Sequence, residues 1–431
     1  MVEDGRRNVG LPPTAPVGRT IPHKGAYVTI IAARWLFDGE KVLENLAVAF
    51  DEKILETGPF EILETRYPDA DIFRLGSGEV LLPGLVNPHV HLEFGANTTH
   101  LKYGDFMAWL QSVIAHRDEL IDACHAACYK RQIEEMLHSG TTCFGAVSSY
   151  GKELTACRAA PQRVVYFNEA IGSQPAAVDA LYSDFMQRLE ESEKAASERF
   201  VPAVAIHAPY SVHPVLMRKI LEETEGKPLT AHFMESPAEK EWLMEGKGPF
   251  RFFFESYLGQ SSPLCHPEAF LELLDGRKTL LTHAVQADEK LLERIAEAGH
   301  VITHCPRSNR LLGCGRLAIE SVRKKGIPWL LGTDGLSSNT SLNLWDEMRA
   351  ALMLHHQAPL DLFAADLLRA VTSRAADALG LSVGRIEAGR CADLVTVALP
   401  DAPENGKSVA TQLILHTRSV DRLYIGGKQY V

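Results

Sequence analysis

Along the middle of the chain, short apolar runs that finish in a polar residue alternate with stretches of helical periodicity. Eight such runs are read: Leu81–Leu92, Thr141–Val147, Arg163–Glu169, Val201–His207, Pro228–Met234, Thr279–Val285, His300–His304 and Pro328–Asp334. The helical stretches include Phe106–His138, Val178–Arg199, Glu289–Ala298 and Asn343–His355. This alternation predicts parallel strands joined by crossover helices, and eight units fit a (β/α)8 TIM barrel over 81–384. The two ends of the chain read differently. Runs such as Tyr27–Ile31, Val48–Phe50 and Ile54–Leu55 are split by Asp-Gly, Asp-Glu and Gly-Pro turns, and the same texture returns in Asp393–Leu399 and Arg422–Ile425. The expectation is a small β-sandwich domain assembled from 26–80 and 385–431, preceded by a loose leader over 1–25.

Composition narrows the function classes. In 431 residues, 46% hydrophobic and 23% charged, Lys plus Arg count 44 against 55 for Asp plus Glu, a net charge of −11. That balance disfavours a nucleic-acid partner. No uncharged apolar run approaches the ~18 residues of a membrane span, and Met1–Lys24 has no apolar core of a signal peptide. The eight cysteines include no C-x-x-C pair, so reduced thiols in a cytoplasmic protein are expected and a zinc finger is not. Neither G-x-G-x-x-G nor G-x-x-x-x-G-K-[ST] occurs, which removes support for a nucleotide-phosphate fold.

The chemistry lies at the run ends: His89 and His91, Ser148, Glu169, His207, His232, His283, His304 and Asp334. Barrel enzymes build their sites at the C-terminal ends of the strands. His89 and His91 are i and i+2 on a strand, so both imidazoles face one way and can chelate a borderline metal. Taken singly, any of these histidines is as well explained by core packing, and Asp334 by a helix cap. All of them at strand ends in register are not. Three histidines and an aspartate can hold a metal and leave room for water.

These residues also resemble a known group. Leu82-Pro83-Gly84-Leu85-Val86-Asn87-Pro88-His89-Val90-His91 resembles the amidohydrolase superfamily pattern P-G-[LF]-[VI]-D-x-H-x-H, with Asn87 where Asp is usual. His232-x-x-Glu235, His283, His304-Cys305-Pro306-x-Ser308-Asn309 and Gly332-Thr333-Asp334-Gly335-x-x-Ser338-Asn339 resemble its chlorohydrolase and nucleoside-deaminase branch. So do Asn343-Leu344-Trp345-x-Glu347-Met348-Arg349 and Gly384-Arg385-Ile386-x-x-Gly389-x-x-Ala392-Asp393-Leu394. Within that branch, Leu92-Glu93-Phe94, Tyr103-Gly104-Asp105-Phe106 and Trp109-Leu110-x-Ser112-Val113-Ile114 resemble the 6-aminodeoxyfutalosine deaminases.

The resemblance implies one divalent metal, Zn²⁺ first and Fe²⁺ or Mn²⁺ after it, held by His89, His91, His232 and Asp334. One ion rather than two is expected because the fourth run ends in His207 and offers no bridging lysine. It implies that Asp334 moves the proton of the attacking water, His283 orients that water and Glu235 protonates the ring. His207 would contact the substrate. The implied substrate joins an adenine nucleoside to a benzoate, and its deamination to futalosine is a step of menaquinone biosynthesis. Arg307 and Arg310 are candidate partners for the benzoate carboxylate. The competing readings are a methylthioadenosine, S-adenosylhomocysteine or other nucleoside deaminase, a chlorohydrolase or amide hydrolase with the same site, and a non-catalytic scaffold. The remaining partner expectations are no membrane and a homo-oligomer.

Overall fold

Gly84 divides the first apolar run between two sheets. A Cβ at this position would overlap the Thr142 side chain, so only glycine lets the chain turn here. The computed structural model describes residues 28–96 and 99–431; the leader expected over 1–25 and the first two residues of the 26–80 segment lie outside them. Upstream of Gly84 come β1 (Thr29–Phe37), β2 (Val42–Phe50), β3 (Ile54–Gly58), β4 (Asp71–Arg74) and β5 (Glu79–Pro83). Downstream run β6 (Leu85–Val90), β7 (Thr141–Ser148), β8 (Arg163–Ala170), β9 (Phe200–Ile206), β10 (Leu229–Phe233), β11 (Thr279–His283), β12 (Val301–His304) and β13 (Trp329–Leu331). The chain ends with β14 (Leu394–Ala398), β15 (Arg422–Ile425) and β16 (Lys428–Gln429).

β6 to β13 form one parallel sheet in chain order, the predicted barrel. Its strands are buried on both faces, as apolar runs closed inside helices must be. The other sheet has the order β16-β15-β14-β5-β1-β2-β3, with β4 beside β1, and draws strands from both chain ends. Alternation sorts its faces: Ile31, Val48 and Phe50 pack with Leu394 and Tyr424, while Ile30, Ala47 and Ala49 pack with Leu63 of the helix Phe60–Arg66. A buried pair joins the two sheets. Arg163, at the start of β8, donates to both carboxylate oxygens of Asp393 at 2.9 and 3.2 Å, and the Gly426 N–H donates to the same carboxylate.

Two expectations change. The long helical stretch Phe106–His138 is two helices, Phe106–Ala123 and Ala126–His138. The break brings the Cα atoms of Cys124 and Cys128 to 5.2 Å, and the two form a disulfide, so the expectation of reduced thiols fails for this pair. The other six cysteines are free. Within the C-terminal β segment a helix, Val409–His416, packs on the barrel side; the Arg349 guanidinium donates to the carbonyls of Ile414 and Thr417.

Among the described residues, backbone pairing runs from β13 to β6 without joining those two ends. One side chain and one backbone bond span that seam. The Asn87 amide donates to Thr333 Oγ1 at 2.8 Å and accepts from the Thr333 N–H at 3.2 Å, and the Asp334 N–H donates to the His89 carbonyl at 3.2 Å. Asn87 thus serves as the closure of the barrel where the two ends of the candidate metal set meet.

Candidate active site

The strand ends converge because the backbone there is bent. Met234, His283, Ala284 and Asp334 all have positive φ, between 49° and 77°. For non-glycine residues this is strain, of order 1–3 kcal/mol each, kept only where the surroundings over-determine it. Gly332 and Gly335 flank Asp334, and a Cβ on Gly335 would lie 2.9 Å from His91 Cβ. Glycine there lets the end of β13 lie against the end of β6.

His89, His91 and His232 bring one ring nitrogen each into a cluster within 4.8 Å. His232 Nδ1 lies 3.0 Å from the His207 carbonyl, which can only accept, so Nδ1 carries the proton and Nε2 keeps its lone pair. That Nε2 faces His91 Nε2 at 3.2 Å. His89 Nε2 is buried and has no hydrogen-bond partner. Asp334 Oδ1 lies 3.8 Å from the Nε2 atoms of both His89 and His91. Tetrahedral ligands on bonds of about 2.1 Å stand about 3.4 Å apart, so separations of 3.2–3.8 Å and an orphaned buried nitrogen fit a divalent cation.

Burial disfavours the charged forms of His89, His207 and His232. It lowers His89 well below the usual imidazole range and lowers His207 and His232 to about 3. Asp334 is opposite: burial would raise it, but the imidazoles of His91, His283 and His89 and the Ser308 hydroxyl hold it well below the usual carboxylate range. Its Oδ2 accepts from Ser308 at 2.7 Å and from Ser338 at 2.8 Å, leaving Oδ1 turned toward the histidines.

Glu235 and His283 share the floor with Asp334. His283 Nδ1 is 2.8 Å from Asn309 Oδ1, which fixes the proton on Nδ1 and aims the free Nε2 at Glu235 Oε1, 3.5 Å away. Burial, then the charges of Asp334 and Glu239, push the Glu235 carboxyl well above its usual range. Glu239 accepts the backbone N–H groups of Met234 and Glu235 at 3.0 and 2.6 Å and so holds Glu235 in place.

His207 also lines the cavity, its Nδ1 2.6 Å from Ser211 Oγ. His304 does not: it is buried against His355, with Nε2 atoms 3.1 Å apart, and packs as a structural residue. Arg307 is a correction. Its guanidinium turns to Thr340, Ser341 and the buried Glu347, and it lies outside the cavity lining; Arg310 is exposed and also outside it. Three further carboxylates matter here: Glu169, read in the sequence only as a polar run end, and Glu93 and Glu239, to which the sequence reading gave no role. Glu93 accepts the N–H groups of Ser149 and Tyr150, Glu169 accepts from the Ser149 hydroxyl at 2.6 Å and stands 3.6 Å from His232 Nδ1, and Glu239 is described above. The H-L-E run and the polar end of β8 pointed at the first two; nothing in the spacing marked the third.

The cavity above this floor has a volume of about 540 Å³, within the usual range for a small-molecule site. Among the described residues no helix is long and apolar enough to cross a membrane.

The Amidohydrolase family profile matches residues 80–430. The chain is 43% identical over 394 residues to an aminodeoxyfutalosine deaminase of a Nitratiruptor species, covering 91% of this chain and 96% of that one. The crystal structure of Helicobacter pylori aminofutalosine deaminase with methylthio-coformycin superposes with a TM-score of 0.88 at 32% identity, over 94% of this chain and all of that one. An adenosine deaminase from Xanthomonas campestris with bound zinc is similar at a TM-score of 0.77 and 26% identity, over 93% and 92% of the two chains.

Proposed function

We propose a function from one premise: the chain belongs to the amidohydrolase family. It is a metal-dependent aminohydrolase that deaminates an adenine-type ring, with 6-aminodeoxyfutalosine as substrate and futalosine and ammonia as products. The observation that carries the reaction type is the buried Glu235, 3.5 Å from His283 Nε2 and grouped with Asp334, its carboxyl raised above the usual range by burial. An amidine ring has no carbonyl oxygen to polarise, so it needs a proton donor to a ring nitrogen, and an un-ionised carboxyl provides one. The relatives named above support the substrate.

His89, His91, His232 and Asp334 would hold the cation, with zinc favoured by the N/O donor set and by the zinc in the Xanthomonas enzyme. Such a cation supplies hydroxide near neutral pH by acidifying water. Asp334 accepts the proton released when water attacks the amine-bearing ring carbon. His283 Nε2, fixed by Asn309, orients the attacking oxygen. Glu235 gives its proton to the ring nitrogen, and Asp334 returns one to the departing amine. The remaining hydroxyl proton leaves as the carbonyl forms and restores Glu235, so the balance is water in and ammonia out, with a C–O bond formed and a C–N bond broken. His207 contacts the nucleoside from the side of β9. The same reading keeps the cytoplasm as the setting and a homo-oligomer as the assembly.

The test is ammonia release by the metal-reconstituted protein. kcat/KM for 6-aminodeoxyfutalosine is expected to lie well above that for adenosine, methylthioadenosine or S-adenosylhomocysteine. A preference for S-adenosylhomocysteine, or equal rates throughout, overturns the substrate; no ammonia from any of them overturns the reaction.

A further inference from the structure

One wall of the cavity is a single helix face. Trp109, Val113 and Arg117 are spaced by four residues on the helix Phe106–Ala123, and all three line the cavity. The indole N–H of Trp109 donates to the Ser337 carbonyl at 2.9 Å, three residues beyond Asp334, so this end of the face adjoins the floor. Eight residues on, at 1.5 Å per residue, Arg117 stands about 12 Å farther out. Phe250, Phe253 and Leu258 also line the cavity, so the space between has apolar walls.

Charge along the lining is one-sided. Glu93, Glu169, Glu235 and Asp334 are acidic, and Arg117 is the single Lys or Arg among the described lining residues. Its guanidinium interacts with the Tyr150 phenol, another lining residue. Among the described residues its carboxylate partner is Asp118, 3.6 Å from Nε and 89% exposed. An exposed pair of that kind is weak and leaves the guanidinium's other donors available.

We propose that Arg117, with the Tyr150 hydroxyl, forms a carboxylate subsite that selects nucleosides extended by an apolar arm ending in an aryl carboxylate. This rests on the substrate reading above and supplies the anchor that Arg307 and Arg310 do not. Arg117 acts on binding alone. It lies two helical turns, about 12 Å of axial rise, beyond Trp109, and an interaction made equally in ground and transition states raises KM when removed and leaves kcat nearly alone.

The experiment compares kcat/KM for 6-aminodeoxyfutalosine and for its neutral carboxamide, in the wild type and in Arg117→Met and Arg117→Lys. Methionine keeps an unbranched apolar stem and removes the charge. A hydrogen-bonded charge of this kind favours the acid by about 10–100-fold. The expected result is such a preference in the wild type, its loss in Arg117→Met through KM, and partial recovery in Arg117→Lys. If the wild type prefers the acid and Arg117→Met keeps that preference, the subsite is overturned and the substrate reading stands. If the wild type turns over neither compound, both readings fall.

Discussion

The seam between β6 and β13 is where fold and site depend on the same atoms, and Asn87→Ala tests it. The Asn87 side chain is fully buried, gives one hydrogen bond to Thr333 Oγ1 and takes one from the Thr333 N–H. Truncation leaves a buried backbone N–H with no acceptor, which costs about 1–3 kcal/mol, and forfeits a second bond worth about 0.5–1.5 kcal/mol. The sum, about 2–4 kcal/mol, should appear as a lower urea midpoint at constant slope, measured with metal at saturation. Thr333→Val removes the hydroxyl and keeps the N–H bond. In the double-mutant cycle, the coupling between the two changes isolates the Asn87–Thr333 Oγ1 bond, with about 1 kcal/mol expected.

The site should feel the same perturbation. His89 is two residues from Asn87 and Asp334 is next to Thr333, so a loosened seam spreads two members of the candidate metal set. Zinc affinity in Asn87→Ala should fall about 10–100-fold, the scale seen when residues that orient ligands are lost. Additivity of the two mutations to within about 0.3 kcal/mol, with metal affinity unchanged, would refute the argument: the barrel would then be closed by backbone contacts and the amide would be ordinary core.

Other outcomes follow from the same geometry. His89→Ala or His91→Ala should remove most bound metal by elemental analysis and nearly all turnover; a fully metallated, active variant would end the ligand assignment. Glu235→Gln should keep metal and fold but lower deamination at least ~10²-fold. In the proposed mechanism Glu235 donates a proton, and burial raises it above the usual range, so kcat/KM in the wild type should fall as pH rises through its raised pKa. Gly335→Ala would drive a Cβ to 2.9 Å from His91, and reduced metal occupancy with near-normal secondary structure by circular dichroism is expected. Arg163→Ala leaves Asp393 buried without its partner, which should destabilise the protein by about 3–5 kcal/mol in urea unfolding; Asp393→Asn together with Arg163→Met should recover part of it.

What the sequence made legible follows from periodicity. Barrel strands covered on both faces must be continuous apolar runs, and each of the eight runs overlaps one of the strands β6 to β13. The candidate metal-site histidines His89 and His91 were legible because imidazoles at i and i+2 share a face. The split at Gly84 was not, because a run crossing between sheets stays apolar throughout; only the contact of Gly84 with Thr142 shows the turn. Nor was the helix break at Cys124–His125 visible, since the flanking residues keep helical spacing.

The harder gap concerns carboxylates. Glu93, Glu169 and Glu239 are buried and meet their partners across different strands and turns, so no spacing along one element relates them. Arg307 shows the same limit from the other side. Its place after β12 suggested a substrate contact, but Glu347 lies fully buried on the next long helix, and burial raises it to about 8 even with Arg307 beside it. An acid that costly to ionise holds the nearby guanidinium, because the pair offsets part of the desolvation that either would suffer alone. Substrate charge must then be met by a cation with no buried acid to satisfy. Arg117, whose carboxylate partner among the described residues is out in solvent, meets that condition at the far end of the apolar wall.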